Sequence, residues 1–157
     1  MIKLSQSQSI ILADSIASLD NNSKQEIGRR LAYRLGFNPG PRGPDDGIDG
    51  EFLHNGSFCH FQSKLSRMPL DKDEARKYYS DIKAHNAEWS IMLSARGFKD
   101  TFFSRLGMHA DLCREKIHLL SLADIFAQSE LFIKALNDVP PLANIATIDW
   151  NGFDRKA

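Results

Sequence analysis

The chain is short of cysteine, of net charge and of long apolar runs, and each shortage closes off a class of function. Its two cysteines, Cys59 and Cys113, form no close-spaced pair, which leaves neither a disulfide framework nor a CxxC zinc site, and a reducing, cytoplasmic setting fits. Twenty Lys and Arg balance twenty Asp and Glu. No overall field therefore draws the chain to nucleic acid or to a membrane surface, and a polyanionic partner has to meet a local basic patch. The opening stretch MIKLSQSQSIILADSIASL is broken by Ser, Gln and Asp, and no apolar run approaches the roughly 20 residues of a membrane helix. The expectation is a protein with neither a cleavable secretion signal nor a membrane anchor.

What is present is the composition of an ordinary globular domain. With 157 residues, 42% of them hydrophobic and 25% charged, one α/β domain over 1–157 is expected, its core at about 23–136 and its tail at 137–157 without a clear pattern. Helical spacing of Leu12, Ile16 and Leu19 predicts a helix over 5–19 with these residues in the core. Ser23 with Glu26 reads as a capping box, Ile27, Leu31 and Leu35 as one apolar face, and Gly36-Phe37 as a C-terminal cap with its apolar contact. The segment NPGPRGPDDGIDG at 38–50 is turn-forming. Two strand-like segments, 49–54 and 57–64, flank Asn55-Gly56, the strongest two-residue hairpin signal. A helix capped by Asp71 with Glu74 should follow to about Asn86, then a strand at 88–95, a helix at 99–113, a short strand at 116–120, and a helix from Ser121 to about Leu136.

The hairpin turn nearly forces its register, so pairing counts outward from His54 with Ser57 to Gly50 with Phe61 and Asp49 with Gln62. Alternation then puts Phe52, Cys59 and Phe61 on a core face and Asp49, Glu51, His60, Gln62 and Lys64 on a polar one. Opposed residues have Cβ atoms roughly 5 Å apart, so Asp49 and Gln62 can reach one ion, with Lys64 beside them. A carboxylate and an amide carbonyl suit hard Mg²⁺, which polarises a phosphate and generates hydroxide. The ammonium of Lys64 would stabilise charge developing on that phosphate, or orient the attacking water. A plainly solvated sheet face is the competing reading of the same pattern.

Asp49 followed on the next strand by Gln62-Ser63-Lys64 resembles the PD-(D/E)xK nuclease signature in the variant with Gln at the acidic position. The stretches EIGRRLAYRLGF, GPDDGIDGEF, FCHFQSKLS, WSIMLSARGF and KIHLLSLADI, over roughly residues 23–127, are similar in kind and order to the Mrr-type restriction endonuclease catalytic domain. The resemblance implies a restriction-endonuclease-like core, a mixed β-sheet with a catalytic hairpin flanked by helices. It also implies a cytoplasmic Mg²⁺-dependent endonuclease, with Mn²⁺ as a substitute, that hydrolyses DNA in restriction, defence or DNA processing. Asp49 then stands at the metal-binding aspartate, Gln62 at the variant acidic position and Lys64 at the catalytic lysine. The backbone carbonyl of Ser63 adds a metal contact, and Glu26 completes the site. A homodimer or a partner subunit would supply DNA recognition. Two alternatives stand beside this one: a junction resolvase or repair nuclease on the same fold, and a non-catalytic member that binds nucleic acid or protein.

Other groups carry weaker signals. Asp45 and Asp46 read as turn carboxylates. Glu51 could hold a second ion, and His60 reads foremost as the partner of Glu51 across the hairpin. His109 and Cys113 are spaced as ligands on one helix face but lack two more. Arg29, Arg30, Arg34 and Arg42 before the motif, and Arg67, Lys72, Arg76 and Lys77 after it, could grip phosphates or form a solvated charged face. Arg42 and Arg67 are the expected nucleic-acid contacts. Phe102, Phe103 and Leu106 read as core.

Overall fold

Local signals set the elements in place before any packing is considered. In the computed structural model, which describes residues 3–40 and 48–143, α1 (Gln6–Ala17) begins at a capping box of Ser5 with Gln8. Helix α2 (Asn21–Arg34) starts at Asp20, whose carboxylate accepts the Ser23 amide. The cap expected at Ser23 thus sits three residues earlier, because a carboxylate there takes both the amide and the hydroxyl of Ser23. The end of α2 matches its sequence signal. Gly36 adopts φ 91°, and the amides of Gly36 and Phe37 bond the carbonyls of Tyr33 and Ala32, the paired bonds of a Schellman cap.

Strand β1 (Asn38–Pro39), which the turn-rich sequence did not suggest, leads towards β2 (Gly50–His54) and β3 (Ser57–Lys64). Asn55 at φ 51° and Gly56 at φ 82° make the left-handed two-residue turn. The ladder has the counted register from His54↔Ser57 to Gly50↔Phe61. Helix α3 (Lys72–Ala84) then crosses to β4 (Ala87–Ser94), followed by α4 (Asp100–Leu106), a single 3-10 turn and β5 (Ile117–Ser121). Helices α5 (Leu122–Ala127), α6 (Glu130–Asp138) and α7 (Pro140–Ala143) close the described chain. Two long helices expected from the sequence are shorter. Helix α4 stops at Gly107, so His109 and Cys113 share no helix face. The span after Ser121 breaks where Gln128 turns left-handed and Ser129 caps a new helix. Arg42, Asp45, Asp46 and the tail from 144 lie outside the described residues.

The architecture is α/β, with a mixed sheet in the order β1-β2-β3-β4-β5. Its first two pairings are antiparallel and its last two parallel. Alternation along β4 sends Ile91 and Leu93 into one core, with Leu31 and Leu35 of α2 and Phe132 of α6, and Met92 into the other, with Tyr78 of α3 and Phe102 of α4. Each such buried Leu, Ile or Phe contributes about 1.5–3 kcal/mol of burial, so helices on both faces hold the sheet. Helix α1 packs through Ser9, Ala13, Ile16 and Ala17, leaving Leu12 and Leu19 exposed against expectation; small residues let it approach closely, which a stripe of leucines would prevent. Phe103 is likewise exposed, while Phe102 and Leu106 are core.

Candidate functional site

The parallel strands β3, β4 and β5 end together in register at Lys64, Ser94 and Ser121. Carboxyl ends of parallel strands are where an α/β sheet opens a crevice. A cleft of about 390 Å³ opens there between the first turns of α2 and the end of β3, and Asp49, Gln62, Ser63 and Lys64 all line it.

Backbone bonds hold Asp49 in line, its amide donating to the Phe61 carbonyl at 2.9 Å and its carbonyl accepting the Gly40 amide at 2.7 Å, while its side chain is positioned by Ser63 across the hairpin. Its Oδ2 accepts the backbone amide of Ser63 at 2.6 Å and the Ser63 hydroxyl at 3.0 Å. The ladder accordingly stops one pair short of the expected Asp49–Gln62 partnership. These two donors draw the carboxylate toward α2, where a Cβ on Gly28 would lie 4.0 Å from Asp49 Cγ and 2.2 Å from Ser63 Oγ. Gln62 and Lys64 follow the other alternation and also border a broader groove beside α3, with Arg76 and Arg105. The expected arrangement on one sheet face is thus replaced by a meeting at the strand end, with the three side chains reaching the cleft from two sides of β3. Gln62 Oε1 is buried and accepts no hydrogen bond among the described residues.

The missing side chain at Gly28 explains what else reaches the cleft. It lets α2 close against Ser63, and the residues three, four and seven positions earlier, Gln25, Lys24 and Asn21, then face the same way. All three line the cleft, as does Ser66. Sequence reasoning passed over them, although a glycine inside an otherwise helical run marks a close approach. Glu26 sits two positions from Gly28, on another side of the helix, and its carboxylate lies 3.3 Å from Arg29 Nη1 and 3.8 Å from Arg30 Nε. It is not among the residues lining the cleft.

The remaining candidates divide between structure and surface. The polar face expected around His60 is covered by α3, and His60 itself is fully buried. Its Nδ1 meets Ser90 Oγ at 2.8 Å, Tyr78 Oη meets the same oxygen at 2.5 Å, and the His60 and Tyr78 rings stack. This bond to Ser90 replaces the expected partnership with Glu51, which stays exposed. His109 stacks on Tyr79 at 3.5 Å between ring centres, and Cys113 is exposed. Cys59 is buried, its thiol pushed up to about 11 by desolvation and by Glu88, which makes it inert. Arg76 and Lys77 pair with Asp73 and Glu74 on their own helix. Arg67 is exposed just beyond Ser66.

Comparison of the chain with protein-family models, with curated proteins and with solved structures finds no match in any of the three. The chemistry of the cleft carries the reading instead. Among the described residues no three His, Cys, Asp or Glu gather as a metal cage, and no helix is long and apolar enough to cross a membrane. Among the described residues the cleft offers oxygen ligands, the Asp49 carboxylate, the unengaged amide oxygen of Gln62, the side-chain amides of Asn21 and Gln25 and the hydroxyls of Ser63 and Ser66, beside the ammonium groups of Lys24 and Lys64. That set suits a hard, largely hydrated Mg²⁺ and not a soft transition metal.

Proposed function

We propose that the chain is a divalent-metal-dependent nuclease with a restriction-endonuclease-like core, acting on DNA phosphodiesters in the cytoplasm. The observation that carries this reading is the convergence of Asp49, Gln62 and Lys64 on one cleft at the carboxyl end of β3, with Asp49 held in place by two donors from Ser63. Helix α3 leading from the hairpin to parallel β4 supports the same core.

Asp49 and Gln62 would hold Mg²⁺, with the Ser63 carbonyl adjacent. When bound, the ion supplies Lewis acidity and lowers the pKa of a water. The chain's own residues do the rest. Ser63 fixes the Asp49 carboxylate in advance, so the negative group needs no reorganisation when substrate arrives. Lys64 places an ammonium where charge grows on the phosphate oxygens. Arg76 and Arg105 border the groove along which the strand would continue.

One observation favours a second reading, a nucleic-acid-binding member without efficient cleavage: among the described residues Asp49 is the one carboxylate lining the cleft. Incubation of the purified protein with supercoiled plasmid and with single-stranded DNA, under Mg²⁺, Mn²⁺ or chelator, separates the two. Nicking or linearisation with either metal and none with chelator is expected. Asp49→Ala should remove the activity and leave the melting temperature within a few degrees. A wild-type protein that cleaves no DNA or RNA with either metal would leave the binding reading in its place.

A further inference from the structure

Taking its substrate class from the nuclease reading, we infer that Lys24 is a second phosphate-binding residue, and that it and Lys64 together grip a nucleic-acid phosphate in the cleft without any metal. The close approach at Gly28 brings the preceding turn of α2 against β3, so Lys24 reaches the cleft from the wall opposite Lys64. Neither ammonium has an ion-pair partner among the described residues, whereas Lys77, Lys83, Lys116 and Lys134 each carry one.

Among the described residues the cleft therefore holds two cations against one carboxylate, and Asp49 Oδ2 is already occupied by Ser63. That balance leaves a local excess of positive charge in a protein whose formal net charge is zero. Around the two lysines stand Asn21, Gln25 and Gln62. Two free ammonium groups with amide donors between them form a donor set for phosphate oxygens. A cleft of about 390 Å³ is within the size range of small-ligand pockets. Phosphate binding then precedes metal binding, and the bound phosphate adds the oxygens that a single carboxylate cannot supply to the ion.

The test is fluorescence anisotropy of a fluorescein-labelled single-stranded dodecanucleotide with the full chain in chelator, as a function of salt. Wild type should bind, and Lys24→Ala should weaken binding several-fold and flatten the plot of log affinity against log salt by about 0.7, the value of one single-strand phosphate contact. Lys24→Arg should restore the slope. Lys134→Ala, on α6, should leave it unchanged, and Asp49→Ala should bind at least as well as wild type while cleaving nothing. If Lys24→Ala and wild type give the same slope, or if wild type does not bind in chelator, the inference falls, even with metal-dependent cleavage intact. If no cleavage is found but the Lys24 slope change is, the nuclease reading falls and the phosphate grip stands.

Discussion

His60 and Lys64 lie four residues apart on one strand and on the same face of it, and they have opposite fates. His60 is sealed beneath α3, bonded to Ser90 and stacked on Tyr78. Lys64 stands exposed at the strand end, on the rims of two clefts, with no ion pair among the described residues. A buried polar group with its partner in place holds one arrangement of the core together, since removing that partner exposes the full desolvation penalty. An open, unpaired cation at the carboxyl ends of parallel strands contributes little to stability and is free to meet a ligand.

The sharpest way to break this contrast is Lys64→Ala. It should lower the cleavage rate by about 10²–10³-fold, the loss seen when one donor to developing charge is removed, with an unchanged urea midpoint. A large shift of the midpoint would make Lys64 structural after all. Ser90→Ala is the converse. It strips His60 Nδ1 and the Tyr78 hydroxyl of a shared partner, with an expected loss of about 1–3 kcal/mol for each group left unsatisfied, read by urea unfolding. The metal-dependent rate per folded molecule should stay at the wild-type value.

The smallest effect is on pH dependence. Burial holds the His118 imidazole below its ordinary 6.5, with the Asp138 carboxylate opposing and Lys134 reinforcing the shift. The unfolded chain therefore takes up that proton first as pH falls. Stability contributed by the neutral imidazole is full above 6.5 and declines as the solution is acidified below it. Melting temperatures at pH 7.5 and pH 5 should differ by a few degrees more for wild type than for His118→Gln, about 2–4 °C for each kcal/mol in a domain of this size. An equal pH response in the two proteins would place the acid sensitivity elsewhere.

Much of the frame was legible from short-range signals. Asn55-Gly56 set the hairpin register, Asp71 and Ser121 capped their helices, and Gly36-Phe37 closed α2, each through contacts within a few residues. The breaks at Gly107 and Gln128 were not, because a helical pattern in apolar residues continues across a backbone turn that serves packing. Of the site, Asp49, Gln62 and Lys64 could be gathered from the turn outward, since the count never leaves one hairpin, but their expected sharing of one face could not, because the bonds from Ser63 turn the Asp49 carboxylate to the other side. Lys24 could not be found that way, and Glu26, expected to complete the metal site, does not line the cleft.

What the sequence determined by itself, then, was whatever a turn or a cap dictates locally: the strand pairing, the helix starts and the gathering of one carboxylate, one amide and one ammonium near the end of β3. Tertiary structure decided which way each helix faces and which strand face is sealed. Gly28 aims Lys24 rather than Glu26 at the cleft because only there can α2 come into contact with Ser63, and α3 turns the face carrying His60 from water into core. Both outcomes depend on contacts between segments far apart in the chain. Hydrophobic periodicity records that a residue is apolar, not which surface will cover its neighbours.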